Sequence, residues 1–224
     1  HFHRSGLEER RKFNPNWVKN RYMDIRNDVE AGRIKVPELP LFTKTIDALE
    51  HLAPELRGQE TLSALPHGDF HSGNLIWDGT TLTGIDLGGG AAATVGQDIN
   101  KFLIDYVRRF CAPEELAPGQ LYPADLSEAF FSGYKLVGPD DPTVRLFALT
   151  QLVDTWMLIP DDKLARTPAK QDALVQLRAI AKHAFGSDEP QKDIRVLLTK
   201  RSVEAERKGD HGFLPALRKA ARRR

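Results

Sequence analysis

Polar residues that could do chemistry crowd into one short stretch of the sequence, 67-HGDFHSGNLIWDGTTLTGIDLGGG-90. Two of them are histidines, His67 and His71. Three more carry a carboxylate or an amide: Asp69, Asn74 and Asp86. The stretch is compatible with two kinds of site. One is a metal centre built on both histidines with Asp69, and the other is a phosphoryl-transfer site built on Asp69, Asn74 and Asp86.

The metal centre is the less favoured interpretation. His67 and His71 are four residues apart, which would place both on one face of a helix. However, Gly68 and Gly73 flank them, and glycine disfavours a helix interior. The spacing also lacks the glutamate that follows the first histidine in helical zinc proteases.

The phosphoryl-transfer interpretation needs a carboxylate near the attacking hydroxyl and oxygen ligands that hold Mg²⁺ against the phosphates. Asp69 and Asn74, which is five positions later, can supply the base and one metal oxygen. Asp86 can supply a carboxylate to the same metal. The protein-kinase catalytic loop has the same five-residue step from Asp to Asn, followed by a metal-binding Asp.

The elements that must position these groups follow from periodicity. Two short apolar runs, 75–77 and 82–85, are joined through Asp78-Gly79, which predicts a β-hairpin that returns Asp86 to the loop. Residues 97–110 follow the i, i+3, i+4, i+7 spacing of an amphipathic helix. Asp98 lies at its start. Further helices are predicted at 125–134, 143–159 and 169–185, and residues 1–66 are predicted to be mostly helical.

Composition narrows the class of protein. The 224 residues include 32 Lys and Arg against 31 Asp and Glu, so the overall charge gives no indication of a nucleic-acid partner. The single cysteine, Cys111, excludes a disulfide within the chain and a zinc site of several thiolates, and it fits a reducing cytosol. No apolar run reaches the roughly 18–20 residues that a membrane helix needs. We therefore expect a cytoplasmic protein without a membrane span.

Residues 67–76 resemble the HGDxHxxN loop of the aminoglycoside phosphotransferase and choline kinase superfamily. Gly84-Ile85-Asp86-Leu87-Gly88 is similar to the second, metal-binding aspartate segment of that superfamily, and Gly96-Gln97-Asp98-Ile99 is similar to its next helix start. The loop, the hairpin and the second aspartate in this order are far more specific than any one of them.

The resemblance implies a role for each residue. Asp69 would orient or deprotonate the substrate hydroxyl, while Asn74 and Asp86 would hold Mg²⁺ beside ATP. The remaining residues would shape the loop: His67, His71 and Asp98. His71 could instead touch the substrate.

The resemblance also implies a fold. We expect a mostly helical α+β structure over residues 1–199, similar to the C-terminal lobe of a protein-kinase-like protein. The catalytic loop would be 67–74 and the metal-binding segment 84–90. Relatives bind ATP through an N-terminal lobe with a glycine-rich loop and a strand lysine, and neither is predicted before His67. The favoured interpretation is a lobe of a longer kinase, nearly inactive alone; the other is a relative that no longer transfers phosphate.

The predicted function is therefore transfer of the γ-phosphate of ATP to a hydroxyl of a small molecule. The alternative is a kinase-like module that docks a partner without catalysis. The tail at 200–224 contains nine Lys and Arg against three Asp and Glu, so it could meet an anionic partner, although a solvated end is favoured. Three aspartates in the helical part could meet a cationic substrate, although ordinary packing and turn roles are favoured: Asp154, Asp161 and Asp162.

Overall fold

The computed structural model describes residues 9–88 and 90–186, and these residues form a mostly helical body with two small sheets. The helices are α1 Asn16–Glu30, α2 Leu39–Glu55, α3 Gly96–Phe110, α4 Ala124–Tyr134, α5 Pro142–Met157 and α6 Pro168–Phe185. The strands are β1 Glu9–Lys12, β2 Glu60–Ala64, β3 Leu75–Trp77, β4 Leu82–Gly84 and β5 Ala93–Thr94.

The core lies around α5, which packs against both α2 and α3. Its buried side chains include Leu149 and Trp156, and Leu103 faces them from α3. The indole Nε1 of Trp156 donates a hydrogen bond of 2.8 Å to the carbonyl of Pro37, so its one polar group is satisfied inside the core. This apolar burial fixes α3, the helix on which the polar loop rests.

The first turn of α3 approaches α5 closely because residue 96 is glycine. A Cβ at Gly96 would lie 2.7 Å from the hydroxyl oxygen of Thr143 and 3.1 Å from its carbonyl oxygen. One turn later, the Asn100 side-chain amide donates to the carbonyls of Gly96 and Val144, at 2.7 and 2.6 Å. The start of α3 is thus held against α5 by contact and by hydrogen bonds.

Two separate sheets flank the polar loop. Strands β1, β2 and β5 form an antiparallel sheet in the order β1-β2-β5, with Ser63 paired to Glu9 on one side and to Thr94 on the other. Strands β3 and β4 form the hairpin, in which Leu75 pairs with Gly84. The loop therefore begins where β2 ends and finishes where the hairpin starts.

The helices at 97–110, 125–134, 143–159 and 169–185 are confirmed within two residues at each end, and so is the hairpin. Pro142 begins α5 and Gly186 follows α6, where its positive φ of 77° suits a helix end.

The prediction for residues 1–66 is only partly right. The helices α1 and α2 are present, but β1 and β2 are strands that it omitted. Lys12 ends β1 opposite Glu60. The basic tail at 200–224 lies outside the described residues. None of the described helices is both long and apolar enough to span a membrane.

Candidate active site

The polar loop, residues 67–74, is irregular, with bends at Gly68, Asp69 and His71, until its last turn. Gly68 has a φ of +80°, which an L side chain rarely adopts, so glycine is required at this position. The loop ends in a single 3₁₀ turn, Ser72–Asn74, which leads directly into β3. His67 and His71 therefore do not share a helix face.

Asp98 anchors the beginning of the loop from the first turn of α3. Its side chain is 3% exposed. One carboxylate oxygen accepts a hydrogen bond of 2.5 Å from the backbone N–H of His67, and the other accepts one of 3.1 Å from the N–H of Gly68. Hydrogen bonds to an ionised acceptor are the strong ones. Asp98 therefore fixes the backbone just before Asp69.

Asp105, two turns further along α3, anchors the end of the loop. One of its oxygens accepts from the Ser72 hydroxyl at 2.6 Å and from the Ser72 N–H at 3.2 Å. The other accepts from Arg108 and Arg109. Burial alone would raise the pKa of Asp105, but the bonds from Ser72 and Arg109 outweigh it and hold that pKa below its ordinary value.

Lys101 lies on α3 between these two anchors and contacts the middle of the loop. Its ammonium is 2.8 Å from Oδ1 of Asp69 and donates a 2.7 Å hydrogen bond to the carbonyl of Gly68. This ammonium holds the pKa of the Asp69 carboxyl below its ordinary value. The Asp69 side chain is 52% exposed, so an ionised carboxylate is presented to solvent.

Asn74 lies beside Asp69 and is buried. Its side-chain nitrogen donates to the Asp69 carbonyl at 3.0 Å and to Asp69 Oδ2 at 3.3 Å. With the amide nitrogen used in this way, the amide oxygen of Asn74 is the atom that remains to accept a hydrogen bond or ligate a cation.

The hairpin brings Asp86 back to the loop through backbone pairing. The N–H of Ile85 donates to the carbonyl of Asn74 at 3.0 Å, and the N–H of Gly88 donates to the carbonyl of His67 at 2.8 Å. Asp86 lies between these two bonds, is exposed, and has a φ of 56° in the left-handed region. Asp is one of the few residues that adopt this conformation with some frequency.

The two histidines have different surroundings. His67 is 3% exposed, and its ring packs on Phe70 with 5.4 Å between centroids. His71 accepts a 3.0 Å hydrogen bond on Nδ1 from the Gly73 N–H, and its Nε2 lies 3.4 Å from Asp69 Oδ2. Both histidines therefore contribute to the shape of the loop.

A histidine-based metal centre is not favoured by this geometry. In the part of the chain that the structure describes, no group of three or more His, Cys, Asp or Glu side chains is placed to hold a metal ion. Oxygen donors are nevertheless available in two adjoining segments, the Asn74 amide and the Asp86 carboxylate, and the backbone bond from Ile85 to Asn74 joins these segments. Hard cations such as Mg²⁺ take oxygen ligands of these types, so these two residues fit that ion.

Sequence reasoning missed Lys101 and Asp105. With Asp98 they occupy positions 98, 101 and 105 of α3, the i, i+3 and i+7 positions of one helix face. A polar stripe at helical spacing, starting from the predicted bracing residue, is the signal that could have found them. This stripe was overlooked because an isolated lysine or aspartate on a helix is usually an exposed surface residue.

Two of the three aspartates considered for a cationic substrate have local side-chain partners, and the third, Asp161, accepts a 2.6 Å hydrogen bond from Arg166 through its backbone carbonyl. Asp154 forms a 2.9 Å ion pair with Arg21. Burial raises the pKa of its carboxyl, although Arg21 opposes that effect. Asp162 accepts a 2.9 Å hydrogen bond from the backbone N–H of Leu164, as a cap of a short 3₁₀ turn. These contacts agree with the packing and turn roles that the sequence favoured.

An aspartate loop held on a helix and followed by a hairpin aspartate is the arrangement that the resemblance to kinase-like phosphotransferases implied. The model of one family, described as the phosphotransferase enzyme family (APH), matches residues 2–147, which is more than half of the chain. The chain therefore belongs to this family, in agreement with the resemblance of residues 67–99. Comparisons with curated proteins and with solved structures give no match.

Proposed function

We propose that this chain transfers the γ-phosphoryl group of ATP to a hydroxyl of a small molecule, and that Asp69 accepts a hydrogen bond from that hydroxyl. The observation that carries the proposal is the exposed, ionised carboxylate of Asp69, held by Lys101 and Asn74 on a loop to which the hairpin returns the backbone next to Asp86. Family membership supports phosphotransfer in general. Such transfer depends mostly on positioning and on electrostatic stabilisation, and both are properties of this loop.

Each residue has a specific task in this proposal. Asp69 accepts a hydrogen bond from the substrate hydroxyl, aligns its oxygen with the phosphorus and takes up the proton as transfer proceeds. Asn74 holds the Asp69 backbone through its amide nitrogen, which leaves its amide oxygen to ligate the cation. Asp86 supplies the second oxygen ligand. Mg²⁺, when bound there, would neutralise charge on the phosphate oxygens.

The remaining loop residues keep this arrangement in place. Asp98 holds the two backbone N–H groups that precede Asp69, and Asp105 holds Ser72. His67 fills the space under the loop, while the His71 ring lies against the second oxygen of Asp69. A rigid loop of this kind reduces the reorganisation needed when a substrate binds.

The proposal is tested by measuring Mg²⁺-dependent consumption of ATP in the presence of a panel of small hydroxyl compounds. The panel contains aminoglycosides, amino-alcohols and sugars. We expect one class to stimulate turnover, and we expect Asp69→Asn to lower kcat by about a thousandfold because the amide cannot accept the proton. Asp24→Asn, on the exposed surface of α1, is the matched control and should retain full turnover.

Two results would contradict the proposal. Turnover that survives in Asp69→Asn would exclude Asp69 as the acceptor of the proton. The second result is a failure to bind Mg·ATP, both by the chain alone and by the chain joined to any segment that precedes it in the natural protein. This result would favour the docking module that lacks catalysis. In the docking case, binding to an anionic surface through the 200–224 tail should weaken steeply as salt rises.

A further inference from the structure

Lys101 makes contacts that an ordinary helical surface lysine does not make. Its side chain is only 34% exposed, and its ammonium meets two oxygens of the loop, Asp69 Oδ1 at 2.8 Å and the Gly68 carbonyl at 2.7 Å. An ammonium has three N–H donors, so it can bind both oxygens with good geometry. The lysine thus joins the backbone before Asp69 to the Asp69 carboxylate.

The contacts of the other Asp69 oxygen are weaker. Oδ2 lies 3.3 Å from the Asn74 amide nitrogen and 3.4 Å from His71 Nε2, both beyond the usual range of a strong hydrogen bond to a carboxylate. About half of the Asp69 side chain is exposed, so packing constrains it less than it would a buried side chain. The short bond from Lys101 is therefore the main contact that sets the direction of the carboxylate.

The location of Lys101 gives this contact stability. Lys101 is one turn from Asp98 and one turn from Asp105, and both of these residues are buried and bonded to the same loop. The lysine backbone is therefore fixed relative to the loop on both sides. A side chain that starts from such a fixed point can hold its partner in one orientation.

We propose that Lys101 is a positioning residue for phosphoryl transfer, which aims the Asp69 carboxylate at the acceptor hydroxyl by holding Oδ1 and the Gly68 carbonyl together. The inference rests on the proposed function of Asp69. It predicts that loss of the ammonium lowers the rate of transfer without a comparable loss of substrate affinity. A misdirected base slows the reaction step, whereas the binding groups stay in place.

The first measurement is steady-state kinetics with three variants. Lys101→Met keeps the length of the side chain and removes the charge, and we expect kcat to fall by about 10- to 100-fold while KM for ATP and for the acceptor changes by less than about threefold. Lys101→Arg keeps a cationic donor and should recover kcat to within about fivefold of the original chain. Lys19→Met, an exposed lysine of α1, is the matched control and should have no effect.

A structural role alone would give a different pattern. An ion pair with an exposed partner contributes little to folding, so the thermal unfolding midpoints of all three variants should lie within about 3 °C of the original chain. Lys101→Met with unchanged kcat would overturn the proposal. A fall in kcat that accompanies a large fall in the unfolding midpoint, and that Lys101→Arg does not restore, would also overturn it.

The second measurement does not depend on turnover. Crystal structures of the original chain, Lys101→Met and Lys101→Arg should show the Asp69 carboxylate displaced by about 1 Å or more, or in several rotamers, only in Lys101→Met. An Asp69 carboxylate that keeps its place without the lysine overturns the inference, whatever the kinetics. If the carboxylate moves but the original chain transfers no phosphate to any acceptor, the proposed function fails, and the role of Lys101 in transfer fails with it.

Discussion

The two sides of the candidate site are held in different ways. On the Asp69 side, α3 holds the loop through side chains, including the buried carboxylates of Asp98 and Asp105. On the Asp86 side, a hairpin whose second strand is wholly exposed holds the aspartate through backbone hydrogen bonds. Substitutions of these two buried carboxylates should therefore affect folding and activity together. Those on the second side should affect only activity.

The largest effect on folding is expected from Asp98→Ala. This change leaves the N–H groups of His67 and Gly68 without their charged acceptor, and the first of these lies at a buried residue. We expect the free energy of unfolding to fall by about 3 kcal/mol, since bonds to a charged group are stronger than neutral ones. Urea denaturation measures it.

The control for Asp98→Ala is Asp24→Ala, at an exposed position of α1, which should change the free energy of unfolding by less than about 0.5 kcal/mol. If Asp98→Ala lowered the free energy of unfolding no more than this control does, the proposed difference between the two sides of the site would be wrong.

Gly96→Ala should have the next largest effect, because it disturbs the position of α3 itself. The added methyl group would lie 2.7 Å from the Thr143 hydroxyl, so α3 and α5 must separate. We expect a loss of about 2 kcal/mol in the free energy of unfolding, as for other overpacked sites. Gly133→Ala in α4 is the control: nothing lies within 4 Å of its added methyl group, so it should be neutral or stabilising. Equal effects of the two changes would contradict the expected close contact.

Asp105→Asn should have a smaller effect that depends on pH. The lowered pKa of Asp105 means that the carboxylate stabilises the fold above its unfolded pKa of about 3.9, and that this contribution is lost as pH falls through the folded value. We expect the variant to be less stable by about 1.5 kcal/mol near pH 7. The difference should stay constant down to about pH 5 and shrink below about pH 4. Urea denaturation at several pH values measures it, and a difference that grows in acid would contradict it.

Asp86→Asn should have the smallest effect on folding. Asn tolerates the left-handed backbone of Asp86, so the free energy of unfolding should change by less than about 0.5 kcal/mol. Mg²⁺-dependent binding of ATP should nevertheless weaken by about tenfold or more, because a carboxylate ligand is lost. Asp78→Asn, in the hairpin turn, removes the same charge outside the site and should leave this binding unchanged. Calorimetric titration measures both, and a stability loss as large as that of Asp98→Ala would remove the contrast between the two sides.

Periodicity in the sequence was enough to predict the helices and the hairpin. The apolar spacing of residues 97–110 corresponds to the buried face of α3, and Asp78-Gly79 lies in the tight turn between β3 and β4. The strand β1 was missed because its four residues, 9-ERRK-12, are all charged and exposed. Its backbone pairs with β2 without any alternation of apolar residues, so its sequence contains no strand signal.

The site was predictable only where residue type and order carry information. Asp69, Asn74 and Asp86 are brought to one loop and one hairpin as predicted, while their chemical roles stay predictions. Lys101 was missed because its effect comes from packing: only the structure shows that residue 101 faces residue 69. The spacing of residues 98, 101 and 105 shows that they share one helix face, but nothing local in the sequence shows which segment that face contacts.

The dependence of the loop on α3 has a consequence for protein engineering and for recombination between genes. The side chains of α3 that bond the loop come from one short stretch of that helix, so residues 67–74 need residues 98–105 as well as the hairpin to keep their shape in another scaffold. Recombination that separates the two segments would transfer the sequence motif without the helix residues that hold it in place. The two segments should therefore behave as a single cassette.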